Sequence, residues 1–279
     1  MKMDQMLLGR RSVLRIVACL GAAATAGALF TEQDPSPGGA AAPRPATGAP
    51  AAAGPPVKES AYRLQPMTAD APPRFRRALP PVRSRPFERF QEAGRSIVLT
   101  FDDGPDPRYT PGILSTLREY HVNAMFFVCG EMATDNRDLL RQMAEDGHVV
   151  GNHTWSHPLI PKLPPSKIRG ELSRTSEVIE QTLGAAPLWY RAPYGAWNRV
   201  SFEIGAELGM EPLAWTVDTL DWTEPGTRTI VRRVLDGAEP GVVVLSHDAG
   251  GDRSQSVAAL RSYLPGLLDA GYHITVPRR

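Results

Sequence analysis

Past Arg95 the sequence alternates short β-rich runs with longer helical ones, and this alternation restricts the chain to βα units wound around parallel strands. Strand candidates fall at residues 96–101, 123–128, 148–152, 188–192, 212–217, 242–246 and 273–276. Helical stretches fill 111–120, 137–146, 166–183, 199–208, 227–238 and 255–270, with Gly147, Gly184, Gly209 and Gly271 placed as C-terminal stops. In the third helix Ile168, Leu172, Thr175, Ile179 and Leu183 fall close to one stripe, as packing on a barrel or sheet requires. Pro265 is expected to kink the last helix. The expected fold is α/β, a distorted parallel (β/α) barrel of about seven strands.

The residues ahead of this domain have a different composition. Residues 1–30 read as an export signal, with Arg10, Arg11 and Arg15 leading an apolar stretch of about fifteen residues, shorter than the roughly 20 a spanning helix takes. Cleavage is expected after Ala24-Thr25-Ala26 or Ala26-Gly27-Ala28, and RRSVLR also resembles a twin-arginine signal. The mature chain is therefore expected to be exported, extracellular or associated with the cell wall, without a stable membrane span. Residues 31–58, dominated by Ala, Pro and Gly, cannot bury enough apolar surface to offset ordering and read as a disordered linker. Residues 59–94 form an Arg/Pro-rich extension, expected to drape over the domain of residues 95–279 through Phe75, Leu79, Phe87 and Phe90.

With 31 basic and 30 acidic side chains the formal charge is +1, which excludes steering toward nucleic acid by bulk charge. Loss of the leader removes Cys19 and leaves Cys129 alone in the apolar run AMFFVCG, so no internal disulfide forms and that thiol reads as a core side chain. A monomer is expected.

In a parallel barrel, residues just beyond the C-terminal strand ends converge on one face. Asp102 and Asp103 follow the first strand, His153 and His157 the third, Arg191 ends the fourth, Asp218 and Asp221 follow the fifth, and His247 with Asp248 the sixth. The run HTWSH spaces two histidines four apart, so one helical turn would bring both imidazoles to one side. A carboxylate from Asp102-Asp103 would complete a two-histidine, one-carboxylate set with open positions, while its neighbour serves as a base.

The motifs TFDDGP, HTWSH, RAPYG, DTLDW and LSH, in this order, resemble those of the polysaccharide deacetylases, the NodB-homology family also termed carbohydrate esterase family 4, over about residues 95–276. The resemblance implies that Asp102 is the general base, that Asp103, His153 and His157 bind a divalent metal ion, zinc first and cobalt as the alternative, and that Arg191 pairs with Asp102. It further implies an oxyanion donor in the backbone N–H of Tyr194, a catalytic acid in His247 oriented by Asp221, and a substrate pocket lined by Tyr194, Trp222 and Leu245. Trp155 and Trp197 are candidate sugar platforms but equally ordinary core side chains.

The implied reaction is removal of N-acetyl groups from an extracellular polysaccharide, with peptidoglycan or chitin-type oligomers as the substrate partner. An O-acetyl esterase acting on xylan or another acetylated glycan would share the attack on the carbonyl. A non-haem iron oxygenase would share the ligand set but has no use for the Asp102–Arg191 pair or an acid at His247. A non-catalytic glycan-binding module would be expected to have lost a ligand or the base.

Overall fold

A computed structural model describes residues 78–90 and 94–277. These belong to the second of two units, 68–279; the first, 1–67, lies outside the described residues, as do the expected leader, the linker and Phe75.

Eight strands alternate with seven helices among the described residues: β1 Ser96–Asp102, α1 Thr110–Glu119, β2 Met125–Val128, α2 Gly130–Asp135, α3 Arg137–Glu145, β3 Val149–Asn152 and α4 Pro165–Leu183 lead the order. There follow β4 Trp189–Tyr190, α5 Arg199–Glu207, β5 Glu211–Pro212, β6 Val217–Asp218, α6 Thr227–Asp236, β7 Val243–His247, α7 Ser254–Asp269 and β8 His273–Ile274. All ladders between them are parallel, in the order β5-β4-β3-β2-β1-β7-β6, and β8 pairs with the start of β1. Neighbours in sequence are neighbours in space on both sides of β1, the order of a sheet curled into a distorted (β/α) barrel.

Side chains alternate across each strand, which assigns every residue to a layer. Ile97, Leu99 and Phe101 of β1, with Phe126 and Val128 of β2, pack under the helices. Val98, Met125, Phe127, Trp189, Leu213 and Val243 form a separate inner cluster. Thr100 and Asp102 share Val98's face, so the inner column of β1 runs from apolar to ionisable toward its C-terminal end. The α4 stripe behaves as its spacing demands: Ile168, Leu172, Thr175 and Ile179 are buried, and Gly184 ends the helix at φ 78°, a conformation favouring glycine. α7 runs through Pro265 without interruption.

Two features depart from the sequence expectation. The run expected at 212–217 is two short strands, because the chain changes partner midway. Leu213 N–H donates to Tyr190 O on the β4 side, whereas Thr216 N–H donates to Val243 O beside β7. Helix α2 was not anticipated; at six residues it is too short to show a periodicity.

Between those two edges the extension contributes a strap. Phe87 N–H donates to Pro212 O, Ala214 N–H to Phe87 O, and Phe90 N–H to Gly241 O. The Phe87 and Phe90 rings stack at 6.0 Å, and both meet Trp189 edge-on at 5.9 and 5.8 Å. Arg83 lies over the Phe87 ring and donates through Nε and Nη2 to both oxygens of Glu211. Leu79 is exposed instead of docked.

Candidate active site

The C-terminal ends of β1, β3, β4 and β7 deliver the polar side chains. Asp102 ends β1 facing inward and is almost wholly buried. Asp103 then adopts φ 77°, turning its carboxylate back toward the same face. This turn is held from outside the segment: Asp103 N–H donates to Phe127 O, Asp248 N–H to Asp102 O, and Gly104 N–H to Asp248 Oδ1. A Cβ on Gly104 would stand 2.2 Å from the Asp248 carboxylate, so that position admits only glycine. Asp248, whose role the sequence left open, is thus part of the frame beneath Asp102 and Asp103, and Thr110 O–H donates to its other oxygen. Burial pushes its carboxyl up to about 7.

Arg191 enters from the end of β4, fully enclosed. Its Nη1 donates to Asp102 Oδ1 at 2.7 Å and to Thr100 Oγ1 at 2.8 Å, Nε to Leu213 O and Nη2 to Ala214 O. The guanidinium also faces the Phe127 ring at 4.3 Å.

His153 continues β3, its N–H donating to Val128 O. Its Nδ1 lies 2.9 Å from Arg191 O, and a carbonyl can only accept, so Nδ1 carries the proton and Nε2 presents a lone pair. That Nε2 stands 3.5 Å from Asp103 Oδ1 and 3.6 Å from Asp102 Oδ2. His157 Nε2 reaches the same Asp103 oxygen at 3.3 Å. The two imidazoles do converge, but not through a helical turn: residues 153–157 are an irregular bend in which Thr154 and His157 take φ 68° and 57°. Helix is excluded because Asn152 Oδ1 captures Thr154 N–H, and the Glu171 carboxylate captures the N–H groups of Trp155 and Ser156.

Asp103 Oδ1 is buried without a hydrogen-bond donor. A lone carboxylate oxygen facing two imidazole nitrogens is a poor arrangement by itself and a good one around a cation, and Asp103, His153 and His157 offer donor atoms within 4.8 Å of one another. Burial works against the Asp103 charge, yet the surrounding imidazoles, His153 before His247 and His157, hold the carboxyl well below the usual range. Burial above all lowers the His157 pKa and keeps the ring toward its neutral form, the one able to ligate a cation.

Across the site His247 ends β7. Its Nδ1 lies 2.7 Å from Asp221 Oδ1, and its backbone N–H and the Ser256 hydroxyl both donate to Asp221 Oδ2. Burial disfavours the imidazolium, but the hydrogen bond and charge of Asp221 outweigh it and raise His247 to about 9. The Tyr194 backbone is at φ 61° in a 3-10 turn, and its exposed ring meets the edge of His157 at 4.6 Å. Trp222 is exposed beside Asp221, and Leu245 is buried two residues before His247 on the same face of β7.

Asp218 accepts from Leu220 N–H, shaping the turn into Asp221. Trp155 packs against the main core under Arg174, and Trp197 stacks on Phe202, so both indoles serve packing. The sequence reading missed Thr100, Glu171 and Ser256. Glu171 left a signal, a charged side chain beside the apolar stripe of α4; Thr100 and Ser256 left none.

The family model described as polysaccharide deacetylase matches residues 91–213. A chitooligosaccharide deacetylase from Rhizobium leguminosarum bv. trifolii is 36% identical over 200 residues, covering 68% of this chain and 93% of that protein. The chain belongs to the polysaccharide deacetylase family. Among its fellow members a peptidoglycan-N-acetylglucosamine deacetylase from Bacillus cereus is 39% identical over 178 residues, 63% of this chain and 83% of that one. The family fold is also seen in a CE4 family pseudoenzyme from Bacillus anthracis, with a TM-score of 0.64 and 28% identity over 68% of this chain and 66% of the other. Membership in this deacetylase family therefore has to be joined to an intact site before activity follows. No helix among the described residues is long and apolar enough to cross a membrane.

Proposed function

We propose that this protein is an exported, metal-dependent hydrolase that removes N-acetyl groups from an extracellular polysaccharide, peptidoglycan first and chitin-type oligomers next. The observation that carries this reading is the meeting in one site of a buried Asp102–Arg191 pair, an Asp103–His153–His157 donor set and an Asp221–His247 pair. The names of the two deacetylase relatives supply the substrate class.

A divalent cation held by Asp103, His153 and His157, zinc with cobalt as the alternative, would activate a water and polarise the acetyl carbonyl as a Lewis acid. Asp102 takes the proton of the attacking water; Arg191 occupies its Oδ1 and leaves Oδ2 facing the site. The Tyr194 backbone N–H donates to the developing oxyanion, where one preorganised donor is worth about 3–4 kcal/mol. As the C–N bond breaks, His247 gives its Nε2 proton to the leaving amine, and Asp221 stabilises the imidazolium beforehand. Acetate and a free amino sugar leave. Trp222, Leu245 and Tyr194 seat the acetyl methyl and the sugar ring.

Mass spectrometry of defined glycans incubated with zinc-loaded protein tests this reading. Loss of one acetyl unit from an N-acetylated peptidoglycan fragment or chitin oligomer is expected. Acetate released only from O-acetylated xylan, or from no glycan, would overturn it.

A further inference from the structure

His153 and His157 reach the same Asp103 oxygen by different means. His153 is fixed by β3 itself, through Val128 O, and by the carbonyl of Arg191. His157 lies four residues further along a bend whose conformation local preference does not favour, since a β-branched threonine seldom adopts the φ of 68° found at Thr154. Something outside the bend has to hold it. The Trp155 and Ser156 N–H groups both donate to Glu171 Oε2 at 2.8 Å, and the Ser156 hydroxyl donates to Oε1 at 3.0 Å. A single carboxylate thus closes three donors of the bend, with charge-assisted bonds roughly twice as strong as neutral ones. Its backbone is equally secure, lying in the 19-residue helix α4, where the next residue, Leu172, accepts through its carbonyl from Asn152 Nδ2 at 2.7 Å.

We propose that Glu171 is the positioning residue that sets His157 against Asp103, and so fixes the affinity and geometry of the divalent cation site. The inference rests on the metal-centre reading above. The Glu171 carboxylate bonds to Trp155 and Ser156, so it acts through the bend.

Two substitutions separate this role from general support of the fold. Glu171→Gln can keep all three contacts, its amide oxygen accepting both N–H groups and its amide N–H donating to Ser156 Oγ. Glu171→Ala removes all three while favouring α4 itself, because alanine is the best helix former. Binding of Co(II) to the full chain, followed by visible absorption and by competition with a chelator, is the measurement, with thermal unfolding of each metal-free protein as the control. Glu171→Ala is expected to fold, bind cobalt about 10- to 100-fold more weakly and show an altered Co(II) spectrum. Glu171→Gln restores both affinity and spectrum. Should Glu171→Ala fail to fold, Ser156→Ala, which removes only the Oε1 contact, is expected to weaken cobalt binding by less while leaving the fold intact; unchanged binding there would overturn the inference. Wild-type affinity and spectrum in a folded Glu171→Ala would overturn it, as would a Glu171→Gln as weak as the alanine variant. Absence of cobalt binding by the unsubstituted chain would instead overturn the metal-centre reading, and this inference with it.

Discussion

Arg191 and Asp102 meet inside the barrel with Nη1 2.7 Å from Oδ1, and the arginine side chain has no exposure at all. Burial lowers the guanidinium pKa and the charge of Asp102 opposes that shift, so each charge depends on the other. Arg191→Ala is expected to destabilise the protein by about 3–5 kcal/mol, the usual cost of leaving a buried charge without its partner. Urea unfolding measures this. Arg191→Lys should not rescue it, since one ammonium cannot reproduce donation to Asp102, Thr100, Leu213 and Ala214.

Asp102→Asn keeps an oxygen for Arg191 but removes the proton acceptor. The expected result is a protein less stable than the parent, because the buried Arg191 guanidinium loses its counter-charge, with kcat of the folded fraction lower by roughly 10²–10⁴-fold, the range for loss of a general base. Steady-state kinetics on an N-acetylated oligosaccharide provide the check; undiminished kcat would remove Asp102 from that role.

The Asp221–His247 pair gives a pH dependence of known sign. The folded pKa of His247, about 9, lies above the ordinary histidine value of about 6.5. Its stabilisation is therefore complete below about pH 6.5 and is lost as pH rises through about 9. The acid form that the proposed mechanism requires of His247 disappears over the same upper range, so activity should fall on the alkaline side near pH 9. In Asp221→Asn that limb should move toward neutral pH, read from pH–rate profiles and from NMR titration of the imidazole; an unmoved limb would separate the two residues.

Chelation should abolish deacetylation and lower Tm, and zinc should restore both. A ligand at a hundredfold excess over its Kd stabilises by about 2.7 kcal/mol. His157→Ala removes one donor of the set and should shrink the zinc-induced rise in Tm, measured by calorimetry with and without the metal.

Phe90 tests the strap. Its ring contacts Phe87 and Trp189 in the inner cluster, and its N–H pairs with Gly241 O. Phe90→Ala is expected to cost about 1–3 kcal/mol in urea unfolding, as for an aromatic half-buried against the core, although residue 90 precedes the repeating βα units. A cost below about 1 kcal/mol, typical of surface positions, would show the strap to be dispensable.

The alternation beyond Arg95 determined the class of fold, because side-chain period and helix stops are local properties. It also placed Asp102, His153, Arg191 and His247 at strand ends, since parallel strands put those ends on one face. Local pattern could not reveal that residues 211–218 change partner between β4 and β7, nor that the docking expected of Phe87 and Phe90 falls against Trp189 of the inner cluster. Both depend on which strands stand at the two edges of the sheet. The spacing of HTWSH was correct about convergence and wrong about its cause. Four residues suit one helical turn, but Asn152 and Glu171 claim the N–H groups such a turn would need. The different surroundings of Asp102, on Arg191, and Asp103, before two imidazoles, were likewise a tertiary matter. Strand alternation would send the two apart, and only the φ 77° turn at Asp103, bracketed by bonds from Asp248 and Gly104, returns the second carboxylate to the histidines. The sequence by itself chose the residue types and the face they share. The distances between them were decided by side chains up to 144 positions away, because hydrogen bonds to Asp248 override the local preferences of the chain.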